Sequence, residues 1–205
     1  MLALYLLFGY LLGSAGLYLL VPSFRRDLHR RGSGNTTVLH GLQVGNPYLA
    51  VLNLLAEAAK PVLLVWTAGT LFTVTHPALI LSGVAPAVLG RMYPLFTRWR
   101  NGGKGSVTYA VGLAAMYPQL AWIAVAFALF GISVSRLYPK HYRLIMHGVF
   151  VVTPFWICLL TEWTIFPVLA PLTWGMWLYG RFRPEDADKG YRRMRESENN
   201  VDGSK

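Results

Sequence analysis

The residues best suited to chemistry in this chain gather in two basic, glycine-bearing loops. One runs Arg30-Arg31-Gly32-Ser33-Gly34-Asn35-Thr36-Thr37 and the other Arg98-Trp99-Arg100-Asn101-Gly102-Gly103-Lys104-Gly105-Ser106. Glycine lets a backbone approach an anion closely, while Ser33, Asn35 and exposed N–H groups can donate to its oxygens and the arginines supply charge. The second loop opens directly into an apolar segment. A glycine-rich turn with a lysine at a helix N-terminus is a general way to hold a phosphate, although the spacing is not the Walker pattern, which is longer and follows a strand. Taken alone, either loop reads more readily as a connector touching anionic lipid head groups. Together on one face, they point to a phosphorylated ligand. A third feature is Glu57 with Lys60 inside an apolar run. Ionisable groups at membrane depth cost on the order of 3 kcal/mol each unless paired or facing a wet cavity, and the i,i+3 spacing lets these two pair on one helical face.

The elements that must position these loops are membrane segments. Of the 205 residues 54% are apolar and only 14% charged, and the mean hydropathy is +0.40; globular domains carry about 25% charged residues. Apolar stretches cover 1–22, 47–74, 77–96, 107–135, 144–161 and 163–180, and a spanning helix needs about 17–25 such residues. The first run lacks a basic flank and a small-residue cleavage site, so it reads as a retained helix. The run 107–135 is long and carries Pro118, so it is either one kinked helix or two short ones with a turn at Tyr117-Pro118-Gln119.

Charge placement chooses between them. The basic residues cluster at Arg25–Arg31, at Arg91–Lys104, at Arg136–Arg143 and from Arg181 to Arg195, whereas the connections near Thr75–His76, Pro118 and Thr161–Glu162 hold no Lys or Arg. If all four clusters are cytoplasmic, as the positive-inside rule prefers, the chain crosses twice between each cluster and the next. The expected fold is therefore all-α: a polytopic bundle of seven short transmembrane helices, N-terminus out and C-terminus in, with the membrane domain over 1–180 and a charged cytoplasmic tail over 181–205. Trp163, Trp174, Trp177 and Tyr179 fall near segment ends, as interfacial aromatics do. The net charge of +10 follows helix ends instead of one groove, which argues against a nucleic-acid partner. His29, His76, His141 and His147 lack ligand spacing, and the single Cys158 lies in an apolar run, so neither a metal site nor a disulfide is expected.

With the loops and segments in place, the chain resembles the bacterial acyl-phosphate:glycerol-3-phosphate acyltransferases, the PlsY family. Gly13-Ser14 in the first segment is similar to the family's Gly-Ser, and Asp27 with Gly32-Ser33-Gly34-Asn35 to its first cytoplasmic motif. Glu57 and Lys60 are similar to its Asp-x-x-Lys pair. Leu89-Gly90 and Pro94 lead to Gly102-Gly103-Lys104-Gly105, the core of the second motif, about 70 residues after the first. The resemblance implies seven short helices and transfer of a fatty acyl group from acyl phosphate to the 1-hydroxyl of glycerol 3-phosphate, in a bacterial plasma membrane with the active-site loops cytoplasmic. It also implies catalytic Ser33 and Lys104, phosphate contacts from Arg31, Gly32, Gly34, Asn35, His40, Gly102, Gly103 and Gly105, and no cofactor. Which loop holds which phosphate is left open, as is the oligomeric state.

Three departures from the family pattern are visible. Gly90 is followed by Arg91 where the family has histidine. The arginine after the first motif falls on His40 or is displaced by a shift of register. The third motif, a His-x-x-Asn-Ile stretch followed by Gly-Thr-Glu, is replaced by Tyr179-Gly180-Arg181-Phe182-Arg183-Pro184-Glu185. A related acyltransferase with another substrate and a non-catalytic lipid-binding homologue therefore stand as alternatives. The topology itself is open to direct test: reporter fusions at Lys140 and at the C-terminus are both expected on the cytoplasmic side, and an external Lys140 would refute the seven-span reading.

Overall fold

The computed structural model describes residues 1–16, 19, 47–97, 102–103, 105–137 and 142–182. Seven α-helices occur among them: α1 (Leu2–Ser14), α2 (Pro47–Thr70), α3 (Pro77–Met92), α4 (Ser106–Met116), α5 (Leu120–Leu137), α6 (Tyr142–Leu160) and α7 (Phe166–Phe182). Short 3-10 turns precede α4 at Leu95–Thr97 and α7 at Trp163–Ile165, and no strand is present among the described residues.

The helix boundaries follow local chemistry. Pro77 occupies the first turn of α3, where its missing N–H costs nothing, and His76 caps that turn by accepting from the Ala78 amide at 3.3 Å. The helix stops at Met92, just before Tyr93-Pro94, since a residue preceding proline is pushed out of the helical region. Pro118 does the same between α4 and α5, so the run 107–135 is two helices and not one kinked one. With 11 residues α4 is about 16 Å long, short against a hydrocarbon layer of about 30 Å.

The bundle is inverted relative to a water-soluble protein. Glu57, Lys60 and Arg91 are 2%, 8% and 5% exposed, while Leu55, Trp66 and Leu159 are 61%, 63% and 64% exposed. Charge inside and large apolar side chains outside is the arrangement that suits lipid. At the centre, Tyr5, Leu64, Leu81, Val84, Val88, Leu113, Ile165 and Leu169 form one apolar core. The α1–α3 contact is the tightest. A Cβ at Gly13 would collide with the Ala87 carbonyl, and the Gly9-x-x-x-Gly13 spacing puts two such close approaches on one face of α1. Tyr5, on that face, donates its hydroxyl to the Ile80 carbonyl at 3.1 Å. Polar bonds also join α4 to α7, where the Tyr109 and Thr173 hydroxyls lie 2.7 Å apart and the Thr173 hydroxyl donates to the Leu169 carbonyl at 2.8 Å. Trp174 differs from its interfacial expectation. It sits midway along α7, against Phe155 and Phe166, and donates to the Val151 carbonyl at 3.3 Å.

The two ends of the bundle differ chemically. One end gathers the α2–α3, α4–α5 and α6–α7 connections, and there Glu162 accepts from the Tyr117 hydroxyl and, at 2.6 Å, from the Thr164 hydroxyl. Those two donors, Thr164 first, hold the Glu162 carboxyl below its ordinary value, against the opposing effect of partial burial and with a further small push from His76. A carboxyl with a depressed folded pKa stabilises the fold above its unfolded value of 4.5 and loses that contribution as pH falls through the lower folded value. The stability advantage of wild type over Glu162→Gln should therefore be constant above about pH 5 and shrink as acid is added below that point, as followed by thermal unfolding. An advantage that persists undiminished at pH 3 would contradict the assignment.

Candidate functional site

At the other end of the bundle the C-termini of α1, α3 and α7 converge, and the site is built around one carboxylate. Glu57 and Lys60 are one turn apart on α2, and Lys60 Nζ lies 2.7 Å from Glu57 Oε1. Lys60 also donates to the Ala15 carbonyl at the end of α1. From α3, Arg91 places Nε 3.1 Å from the second carboxylate oxygen, Glu57 Oε2. Three helices are thus joined through a single acidic group. Pairing on that scale is what allows ions to be buried at all, since removing either partner leaves a charge without compensation, at a cost of about 3–5 kcal/mol.

The glycine loop is seated on this cluster. The Gly103 N–H donates to the Arg91 carbonyl at 3.0 Å. A Cβ built on Gly103 would lie 3.2, 3.3 and 3.4 Å from Arg91 Nε, Cζ and Nη2, so the guanidinium packs against the bare backbone of the loop. At Gly102 any side chain would run into the Met92 carbonyl, and Gly105 adopts φ +73° as the N-cap of α4, a left-handed conformation suited to glycine. These glycines are required by close approach and by turn geometry. Tyr179, near the C-terminal end of α7, donates to the same Met92 carbonyl at 3.1 Å and packs edge-on against Tyr93 with centroids 5.2 Å apart. Tyr10 of α1 donates to the Tyr93 carbonyl at 3.0 Å. The stretch that replaces the third motif therefore begins beside the second.

Among the site residues expected from the sequence, Gly102, Gly103 and Gly105 are brought together here and are all buried. Arg31, Gly32, Ser33, Gly34, Asn35, His40 and Lys104 lie outside the described residues, as does the tail from 183 onward. The Gly103 amide, expected among the phosphate donors, is engaged by the Arg91 carbonyl instead. The Glu57–Lys60 pair forms as its spacing allows. Arg91 is the residue that sequence reasoning missed: a charged side chain one position before the end of an apolar helix reads as a loop signal. Its place after Gly90, where the family pattern has histidine, was the available clue.

A family model described as glycerol-3-phosphate acyltransferase matches residues 3–185. The glycerol-3-phosphate acyltransferase of Cupriavidus necator is 31% identical over 165 residues, covering 73% of this chain and 81% of that protein. The enzyme of the same name from Laribacter hongkongensis is 39% identical over 126 residues, covering 59% of this chain and 62% of that protein. A crystal structure of PlsY, an integral membrane glycerol 3-phosphate acyltransferase, in its glycerol 3-phosphate form shares the fold at a TM-score of 0.70, with 20% identity and 92% of both chains covered.

Proposed function

Because the chain belongs to the glycerol-3-phosphate acyltransferase family, we propose that it transfers a fatty acyl group from acyl phosphate to the 1-hydroxyl of glycerol 3-phosphate. The hydroxyl oxygen attacks the acyl carbonyl carbon, the bond from that carbon to the phosphate oxygen breaks, and the phosphate leaves carrying the hydroxyl proton. Lysophosphatidic acid and inorganic phosphate result. An acyl phosphate is a mixed anhydride with a good leaving group, so the enzyme supplies mainly position and anion stabilisation. No cofactor enters that balance. The observation that carries the reading is the packing of Gly102, Gly103 and Gly105 onto the end of α3, with Gly103 over the buried Arg91, at the start of α4.

On this reading Lys104 and the first turn of α4 hold one phosphate, and Ser33, Asn35, Gly32, Gly34, Arg31 and His40 hold the other or orient the hydroxyl. The bundle spans a bacterial plasma membrane seven times with both loops in the cytoplasm, the N-terminus outside and the C-terminal tail inside. The four basic clusters and the alternation of helices between two chemically different ends support that orientation. A second reading, an altered acceptor, is favoured by one observation: Tyr179-Gly180-Arg181 stands in place of the third motif, and its Tyr179 donates to the Met92 carbonyl. An arginine there can bind an anion but cannot shuttle a proton as histidine does.

The test is an assay of purified protein with acyl phosphate and glycerol 3-phosphate, following phosphate release and lysophosphatidic acid together. Both products are expected from wild type, and Lys104→Ala or Ser33→Ala should lose on the order of 100-fold or more in kcat/KM, the scale of one removed anion-stabilising donor. Phosphate release without lysophosphatidic acid would favour the altered acceptor. No product from folded protein would overturn the acyltransferase reading.

A further inference from the structure

We propose that Thr108 is a substrate-binding residue: its buried hydroxyl donates to an oxygen of a phosphate-bearing substrate seated against the first turn of α4. This deepens the acyltransferase reading and rests on it for the identity of the substrate.

Thr108 Oγ1 finds no hydrogen-bond partner among the described residues, although the residue is 1% exposed. The other threonines described within the α-helices differ. Thr67, Thr70, Thr153 and Thr173 each donate to a carbonyl three or four residues back, the usual outlet for a helical hydroxyl. Thr108 is the third residue of α4, so no complete turn lies behind it, and the Gly105 carbonyl already accepts from the Tyr109 amide at 2.9 Å. The hydroxyl therefore adds nothing to the fold. Buried and unpaired, it destabilises the helix packing relative to an apolar side chain of the same shape.

Its position gives it a use. The Cα–Cβ bond of a helical residue tilts toward the N-terminus, so the Thr108 side chain leans toward the open turn. That turn carries the partial positive charge of a helix start, and its N-cap, Gly105, has no side chain with which to occupy it. Ser106 is exposed and Thr108 buried, so the turn leads from the surface into the interior. Four residues along the same face, a Cβ at Gly112 would lie 2.8 Å from Val84 Cγ1 and 3.4 Å from Pro61 Cβ. This face of α4 is thus turned to α2 and α3, away from lipid. Hydroxyl and helix start address one place, and both favour an anionic oxygen, the first by donating to it and the second by its dipole.

The oxygen belongs to acyl phosphate or to glycerol 3-phosphate, and kinetics distinguish them. Wild type, Thr108→Val and Thr108→Ser are purified as full-length protein. Thermal unfolding is followed by tryptophan fluorescence, first without ligand and then over a series of glycerol 3-phosphate concentrations. KM and kcat are measured with each substrate varied in turn. Valine keeps the shape of threonine and lacks the hydroxyl. Without ligand, Thr108→Val is expected to unfold at a Tm equal to or above that of wild type. It should nevertheless raise KM for one substrate on the order of tenfold or more, the scale of one hydrogen bond to a charged group, with a smaller change in kcat. The KM that moves identifies the bound molecule. If it is glycerol 3-phosphate, the half-saturating concentration for thermal protection rises on the same scale. Thr108→Ser restores the donor and should stay within about threefold of wild type. A merely structural role would lower Tm in Thr108→Val, the opposite sign.

KM values within about twofold of wild type for both substrates in Thr108→Val would overturn the proposal, whatever happens to kcat. So would a serine variant as impaired as the valine variant. A valine variant that loses Tm or fails to fold would overturn it too, since the hydroxyl would then belong to the fold. Normal turnover by wild type with an unchanged valine variant would sink this inference and leave the acyltransferase reading standing. Thermal protection by glycerol 3-phosphate that depends on Thr108, in a protein without acyl transfer, would do the reverse.

Discussion

Everything at the functional end of this bundle depends on a single buried carboxylate. Glu57 faces Lys60 from its own helix and Arg91 from α3, and Lys60 reaches on to the last carbonyl of α1. In lipid, an ion without a partner is tolerated poorly, so these groups must stay together once the helices pack. That requirement fixes the relative height of three helices at one end. The glycine loop then has a defined floor: its Gly103 amide is anchored to the Arg91 carbonyl, and its backbone rests on the guanidinium. The described glycines of the connector between α3 and α4 thereby become a placed surface.

The rest of the architecture serves this end in a complementary way. Gly9 and Gly13 bring α1 close enough to α3 for Ala15 to meet Lys60. Tyr10 and Tyr179 tie α1 and α7 to the carbonyls of Tyr93 and Met92, which the break before Pro94 frees from helical bonding. The opposite end uses neutral hydroxyls and one half-buried carboxylate, Glu162, and no buried cation among the described residues. For the proposed reaction, with an activated anhydride as donor, such a division is sufficient: one end would hold phosphate groups in place, and the remainder need only be compatible with lipid.

How much of this the sequence disclosed varies with the range of the interaction. Helix content and the break at Pro118 were legible because proline acts on its own neighbours. The Glu57–Lys60 pair was legible because i,i+3 spacing is a property of one helix. The Arg91–Glu57 contact was not, since the two residues are separated by a helix end, a turn and most of a second helix. Nor could the fate of the Gly103 amide be read, because a glycine-rich loop at a helix start has the same sequence whether its N–H groups face a ligand or the preceding helix. Trp174 misled for a related reason. Distance from a segment end was judged from the hydropathy run 163–180, whereas the helix itself begins at Phe166 and places this tryptophan at its middle, within an aromatic cluster. The Ser33 loop lies outside the described residues.

The central claim is that Glu57 and Arg91 act as one unit across two helices, and a double-mutant cycle measures this most directly. The unfolding free energies of wild type, Glu57→Gln, Arg91→Met and the double variant give the coupling between the two positions. The account predicts a coupling of about 1.5–3 kcal/mol, the range for contacting members of one ion-pair network, with the double variant more stable than the sum of the single effects implies. Additivity within about 0.5 kcal/mol would mean that the two residues do not sense each other, and would contradict it.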